Sequence, residues 1–144
     1  MENIDVMVLR SLRNWRLSGQ RALLATVVRT WGSSPRPVGS IMALCEDGAV
    51  LGSVSGGCIE DDMILKVRNK DLVKDKPVTA QYGVSAEEAS RFGLPCGGTL
   101  ELLLEFDPDA SMLSQLVSAL ENGELMQRQV HLSSCSCETK AHPV

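Results

Sequence analysis

The sequence predicts one α/β or α+β domain: three layers, a mixed β-sheet, a β-hairpin and flanking helices. Three observations point there. The chain has 144 residues, enough to bury roughly 70% of its unfolded surface in one core without a disulfide or metal staple. Apolar residues make up 44% and charged residues 22%, an ordinary balance for a globular domain. Helical and strand-like hydrophobic periods alternate along the chain in the order αβ, hairpin, α, β, α, β, α, β.

The elements follow in order. Ile4, Val8, Leu12 and Trp15 recur at helical spacing, with Asn3 placed to cap the helix and Gly19 to end it. Residues 22–28, ALLATVV, read as a strand buried on both faces. The stretch TWGSSPRPVGS (30–40) breaks the pattern, and Pro35 and Pro37 make it stiff and non-helical. SIMALC (40–45) and AVLGSV (49–54) are strand-like and are joined through Glu46-Asp47-Gly48, a hairpin signal. A second helical stripe runs Ile59, Met63, Ile64, Val67, with Glu60, Asp61 and Asp62 in its first turn, where acids suit the positive helix end.

VTAQY (78–82) is a short strand, and Ser85 through Glu88 is a capping-box pattern for a short helix that Gly93 closes. TLELLLE (99–105) puts Leu100, Leu102 and Leu104 on one face. Asp107-Pro108 starts a last helix with a stripe of Leu113, Leu116, Val117 and Leu120, ended by Asn122-Gly123. A strand at 125–132 leads to a polar tail, 133–144, expected to be flexible. The domain is thus read as 1–132.

A net charge of −4 and only five aromatic residues argue against nucleic acid, which wants a basic face and stacking rings. The N-terminus lacks a basic region followed by an apolar one, and no apolar run approaches the length of a membrane span. A cytoplasmic location is the default expectation, in which the five cysteines stay reduced.

Chemistry concentrates in three glycine-rich segments, 30–40, 52–60 and 93–99. GSVSGGCIE (52–60) and GLPCGGTLE (93–101) share a pattern, although one precedes a helix and the other a strand. At Ser55-Gly56-Gly57-Cys58, glycine lets backbone approach a ligand. The first-turn N–H groups of the helix favour an anion, and the same field lowers a thiol pKa. A buried cysteine in a tight turn fits the same residues. The stretch is neither a Walker A loop nor Gly-x-Gly-x-x-Gly. Cys96, beside Gly97-Gly98, pairs with Cys58 as a second soft ligand or thiol, but not in zinc spacing. Arg36 suits bidentate phosphate or carboxylate, or is simply a solvated loop residue. Cys45 reads as core. Cys135, Cys137, His131 and His142 form either a terminal metal cluster or part of a frayed tail. Neither histidine lies in a hydrolase motif.

Thr26-Val27-Val28 leading into Gly32-Ser33-Ser34-Pro35-Arg36-Pro37-Val38-Gly39, then Gly52 through Glu60, resembles the N-terminal domain of the XdhC/CoxI family. So does the stretch from Tyr82 through Gly93-Leu94-Pro95-Cys96-Gly97-Gly98 to Glu105. The resemblance covers about residues 5–106. It implies an accessory chaperone, not a turnover enzyme. Such a factor binds the molybdenum cofactor, as molybdopterin or its dinucleotide form, supports its sulfuration with a cysteine desulfurase, and inserts it into a xanthine dehydrogenase-type apo-enzyme.

The positions it carries over as cofactor-binding are Ser33, Ser34, Arg36, Ser55, Gly56, Gly57, Cys58, Glu60, Cys96, Gly97 and Gly98, with Cys58 or Cys96 near molybdenum. Family members commonly continue into a Rossmann-like domain; its glycine fingerprint is absent here, so a separate Rossmann-like chain is an expected partner, and a homodimer is another. Read without the resemblance, the same residues also fit a thiol-based sulfur carrier or oxidoreductase using Cys58 and Cys96, or a structural module that binds a partner protein.

Overall fold

A computed structural model describes residues 3–31, 36–54, 60, 63, 64, 76–82, 99–124, 126–130, 132 and 137–141. Helix α1 (Ile4–Leu17) begins at Asn3, whose side chain accepts the Asp5 N–H at 2.8 Å. It buries Val6, Val8, Leu9 and Leu12. Ile4, expected on the buried stripe, faces solvent instead. Gly19, at a φ of 82°, ends the helix in the left-handed region that favours glycine.

Strand β1 (Ala22–Trp31) runs three residues further than expected, and its first four residues are all buried. β2 (Ile41–Cys45) and β3 (Val50–Gly52) form the expected hairpin. Gly48 takes a φ of 96°, and its N–H donates to the Cys45 carbonyl at 2.9 Å. The Ala49 N–H, donating to the Asp47 carboxylate at 2.9 Å, holds that carboxyl below its ordinary range. Cys45 is buried as core, and burial pushes its thiol pKa up. β4 (Val78–Tyr82) and β5 (Thr99–Phe106) complete a sheet of order β3-β2-β1-β5-β4.

All four pairings are antiparallel. The fold is therefore α+β, and the sheet is not mixed as expected. Parallel neighbours need a long crossover, whereas β1 and β5, distant in sequence, run in opposite directions and share the centre.

Each face of the sheet carries a core. On one side Leu23, Ala25, Val27, Met42, Leu44, Tyr82, Leu100, Leu102 and Leu104 of the sheet pack in one cluster with Val54 and Met63. Ala22, Leu24 and Ala43 face α1 and helix α2 (Ala110–Glu121) on the other, where Val8, Leu12, Leu113, Leu116 and Val117 interlock. The alternation of β5 contributes to one side only: its even-numbered leucines, Leu100, Leu102 and Leu104, all enter the first core.

α2 starts two residues later than Asp107-Pro108. Its cap is Asp109, whose carboxylate accepts the N–H groups of Ser111 and Met112 at 2.7 and 3.2 Å. Asp107 has a different task. At a φ of 49°, its carboxylate accepts two bonds from Arg21, at 3.0 and 2.8 Å, and one from the Ala22 N–H at 3.1 Å. This ties the turn before β1 to the turn after β5.

β6 (Met126–Val130) pairs antiparallel with β7 (Cys137–Ala141) as a separate two-stranded sheet. Residues 137–141 are therefore a strand rather than frayed chain. The strand forms through backbone bonds, which need no apolar pattern and so left no mark in a polar stretch. Met126 packs against the helix-side core, and Arg128 reaches the buried carboxylate of Glu105 on β5. Among the described residues no helix is long and apolar enough to cross a membrane.

Candidate functional site

Because adjacent strands alternate in direction, the ends of β1, β3 and β4 lie beside the starts of β2 and β5. The register fixes this end of the sheet. Trp31 sits opposite Thr99, Tyr82 opposite Leu100, Thr26 opposite Ile41, and Met42 opposite Gly52. The first glycine-rich segment follows Trp31 and returns into Ile41. The second follows Gly52. The third lies between Tyr82 and Thr99. All three are anchored at the same end of the sheet, on strands whose roots lie in the two cores.

Those anchors are held by specific bonds. After Arg36, which is exposed, the first segment returns against β1: the Gly39 N–H donates to the Val27 carbonyl at 2.8 Å, and the Val27 N–H to the Ser40 carbonyl at 2.9 Å. Gly39 takes a φ of 97° there. Gly52, at a φ of 81°, lies so close to β2 that a Cβ would stand 2.4 Å from the Ile41 carbonyl oxygen. At the second segment, Glu60 is only 7% exposed. Its Oε1 accepts the Ser53 hydroxyl at 2.9 Å and the Val54 N–H at 2.7 Å. Glu60 thus braces the entry of its own segment. A buried carboxylate is tolerated where donors satisfy it.

Of the expected site residues, Arg36 and Glu60 are described, one at the surface of the first segment and one inside the second. Ser33, Ser34, Ser55, Gly56, Gly57, Cys58, Cys96, Gly97 and Gly98 lie outside the described residues, as do the helix expected at 85–93, His131, Cys135 and His142. Among the described residues, no group of three or more His, Cys, Asp or Glu side chains is set to hold a metal. Sequence reasoning missed Ser53, Arg29 and Trp31. Ser53 is a small hydroxyl residue in a glycine-rich stretch and is unremarkable until Glu60 is seen beside it. Trp31, directly before Gly32, offered the clearer signal as a bulky ring at the mouth of a loop.

The architecture is an antiparallel α+β domain that presents three glycine-rich segments at one end of its sheet. The model of the XdhC and CoxI family matches residues 15–83. Over 108 residues the chain is 34% identical to the molybdenum cofactor insertion chaperone PaoD of Escherichia coli (strain K12), covering 73% of this chain and 32% of that protein. A shorter match, 38% identical over 48 residues, links it to a probable xanthine dehydrogenase subunit of Bacillus subtilis (strain 168), covering 33% of this chain and 14% of the relative. The crystal structure of a xanthine dehydrogenase from Bacillus halodurans shares the fold, with a TM-score of 0.71 at 24% identity, over 99% of this chain and 46% of that one. The chain thus spans about a third or less of the curated relatives it matches.

Proposed function

We propose that this chain is the loop-bearing domain of a molybdenum cofactor insertion chaperone, an accessory factor rather than an enzyme. It binds the cofactor, as molybdopterin or its dinucleotide form, supports its sulfuration with a cysteine desulfurase, and delivers it to a xanthine dehydrogenase-type apo-enzyme in the cytoplasm. The observation that carries this reading is the common anchoring of the three glycine-rich segments at one end of a rigid sheet. A large, phosphate-bearing ligand needs several loops converging on it, and sites supported by well-packed elements hold their geometry best.

In this reading the backbone around Ser55, Gly56 and Gly57 and the guanidinium of Arg36 take the phosphate. Ser33, Ser34, Gly97 and Gly98 are assigned to further contacts with the cofactor. Cys58 or Cys96 lies near molybdenum, which accepts soft sulfur ligands. Glu60 keeps the second segment in place through Ser53 and Val54. A separate Rossmann-like chain and a second copy of this chain are further partners.

The test is anaerobic binding of molybdenum cofactor to the purified chain, alone and with a Rossmann-like chain of the family, beside Cys58→Ala and Arg36→Ala. Stoichiometric binding that weakens in both variants is expected. Absence of binding in both formats overturns the reading.

A further inference from the structure

Trp31 belongs by parity with Leu23, Ala25 and Val27, whose side chains enter the first core. Continued alternation would send Trp31 there too. A bulge between Val27 and Arg29 prevents it. Val27 is opposite Leu102, but Arg29 is opposite Glu101 and Trp31 opposite Thr99. The register slips by one residue and the last residues of β1 change face. The indole therefore leaves the core and stands 41% exposed at the sheet end where the glycine-rich segments are anchored. Exposing so large a ring at a strand end forgoes apolar burial, so it calls for a use. Arg29 lies over the ring with its guanidinium carbon 5.6 Å from the centroid, and its Nε is 4.0 Å from Glu101 Oε2. The pair combines a flat aromatic surface with a cation over one of its faces.

We propose that Trp31 and Arg29 form a stacking platform for a flat heteroaromatic ring carrying phosphate. The ring lies on the indole, and Arg29, held by Glu101, meets its anionic side. This rests on the loop-end reading above and deepens it by naming a subsite for the ring. Two sources share that chemistry: the pterin of the cofactor itself, and the nucleobase of a dinucleotide form. Stacking on an aromatic side chain tolerates both, because each has a π-face.

The test uses the full chain in a Trp15→Phe background, which leaves Trp31 as its only tryptophan. Its fluorescence is titrated with neopterin monophosphate, cytidine monophosphate, guanosine monophosphate and, as a ringless control, ribose 5-phosphate. Equilibrium dialysis of the same probes is run on the Trp31→Leu and Trp31→Phe variants, with thermal melts reporting that each is folded.

Saturable quenching by a ring-bearing probe and none by ribose 5-phosphate is expected. Affinity should fall about tenfold or more in Trp31→Leu, the order of one base stack, and partly recover in Trp31→Phe. Quenching by the pterin alone assigns the platform to the pterin, and quenching by the nucleotides alone assigns it to the base. No quenching by any ring, or unchanged affinity in Trp31→Leu, overturns the proposal. Cofactor binding that survives Trp31→Leu at full strength sinks the platform and leaves the chaperone reading standing. Ring probes that quench a chain unable to bind the cofactor do the reverse.

Discussion

Glu60 Oε1 accepts the Val54 N–H at 2.7 Å, tying together two residues six positions apart in the second glycine-rich segment. Ser53 donates to the same oxygen at 2.9 Å. The carboxylate is therefore an internal strut for a backbone that the proposed site needs in one shape. Glu60→Ala leaves a buried N–H without this acceptor, at a cost of about 1–3 kcal/mol. Glu60→Gln keeps an amide oxygen in place and should lose less. Urea melts of the two variants check this order, and cofactor binding should weaken more in Glu60→Ala than in Glu60→Gln. Equal stability of both variants with the wild type contradicts the strut.

Gly52 and Gly39 both take left-handed φ values, 81° and 97°, but their surroundings differ. A Cβ on Gly52 meets the Ile41 carbonyl oxygen at 2.4 Å, and that oxygen is backbone within a five-stranded sheet. A Cβ on Gly39 meets nothing within 4 Å. Gly39→Ala should therefore lose only the conformational preference, about 1 kcal/mol. Gly52→Ala must also shift β2 or β3 and should cost about 3 kcal/mol. Denaturant midpoints with unchanged slopes measure the difference. Equal losses would mean that the sheet edge yields freely.

Much of this fold is legible in the chain because local rules and tertiary packing agree. The leucines of β5 alternate as a half-buried strand should, Asp47-Gly48 turns where two apolar runs meet, and Asn3 caps the helix it precedes. Legibility ends where the outcome depends on partners far apart in sequence. That β1 and β5 pair antiparallel decides that three loops share one end, and no local pattern encodes it. The bulge after Val27 is one misplaced residue, invisible in a run of apolar letters, yet it decides which way Trp31 faces. Asp107 looked like a helix start because it precedes proline. Its carboxylate was claimed instead by Arg21, distant in the chain. Of the candidate site, the chemistry of its loop pointed to Arg36 and the family resemblance to Glu60, but only geometry revealed that Glu60 turns inward.

The cap of α2 offers a test of that same boundary. Asp109 serves two N–H groups, of Ser111 and Met112, and Asp107 serves none in this helix. Asp109→Ala should cost about 1 kcal/mol, and Asp109→Asn or Asp109→Ser should recover most of it. For a domain of this size, that corresponds to a melting shift of about 2–8 °C. A loss confined to Asp107→Ala, with Asp109→Ala silent, would return the helix start to Asp107.

The last prediction concerns the ion pair that docks the C-terminal hairpin. Glu105 is 5% exposed on the face of β5 that looks toward the helices, and Arg128 reaches it from β6. Its other oxygen, Oε2, is buried with no hydrogen-bond partner among the described residues. Burial raises the Glu105 pKa above its ordinary 4.5, and the charge and hydrogen bond of Arg128 only partly oppose that. A carboxyl with a raised folded-state pKa lends its stability fully below the unfolded value, and that contribution disappears as pH climbs through the folded value. Glu105→Gln removes this titration. Relative to the wild type, the variant should therefore gain stability as pH rises above the ordinary carboxyl range. Arg128→Met strands the carboxylate without its counter-charge and should cost about 3 kcal/mol at neutral pH, with the loss shrinking as acid protonates Glu105. Hydrogen exchange should report that loss first in residues 126–130 and 137–141, since a two-stranded hairpin holds little stability of its own. A pH profile of Glu105→Gln parallel to the wild type would show that Glu105 ionises in the folded chain as it does in the unfolded one.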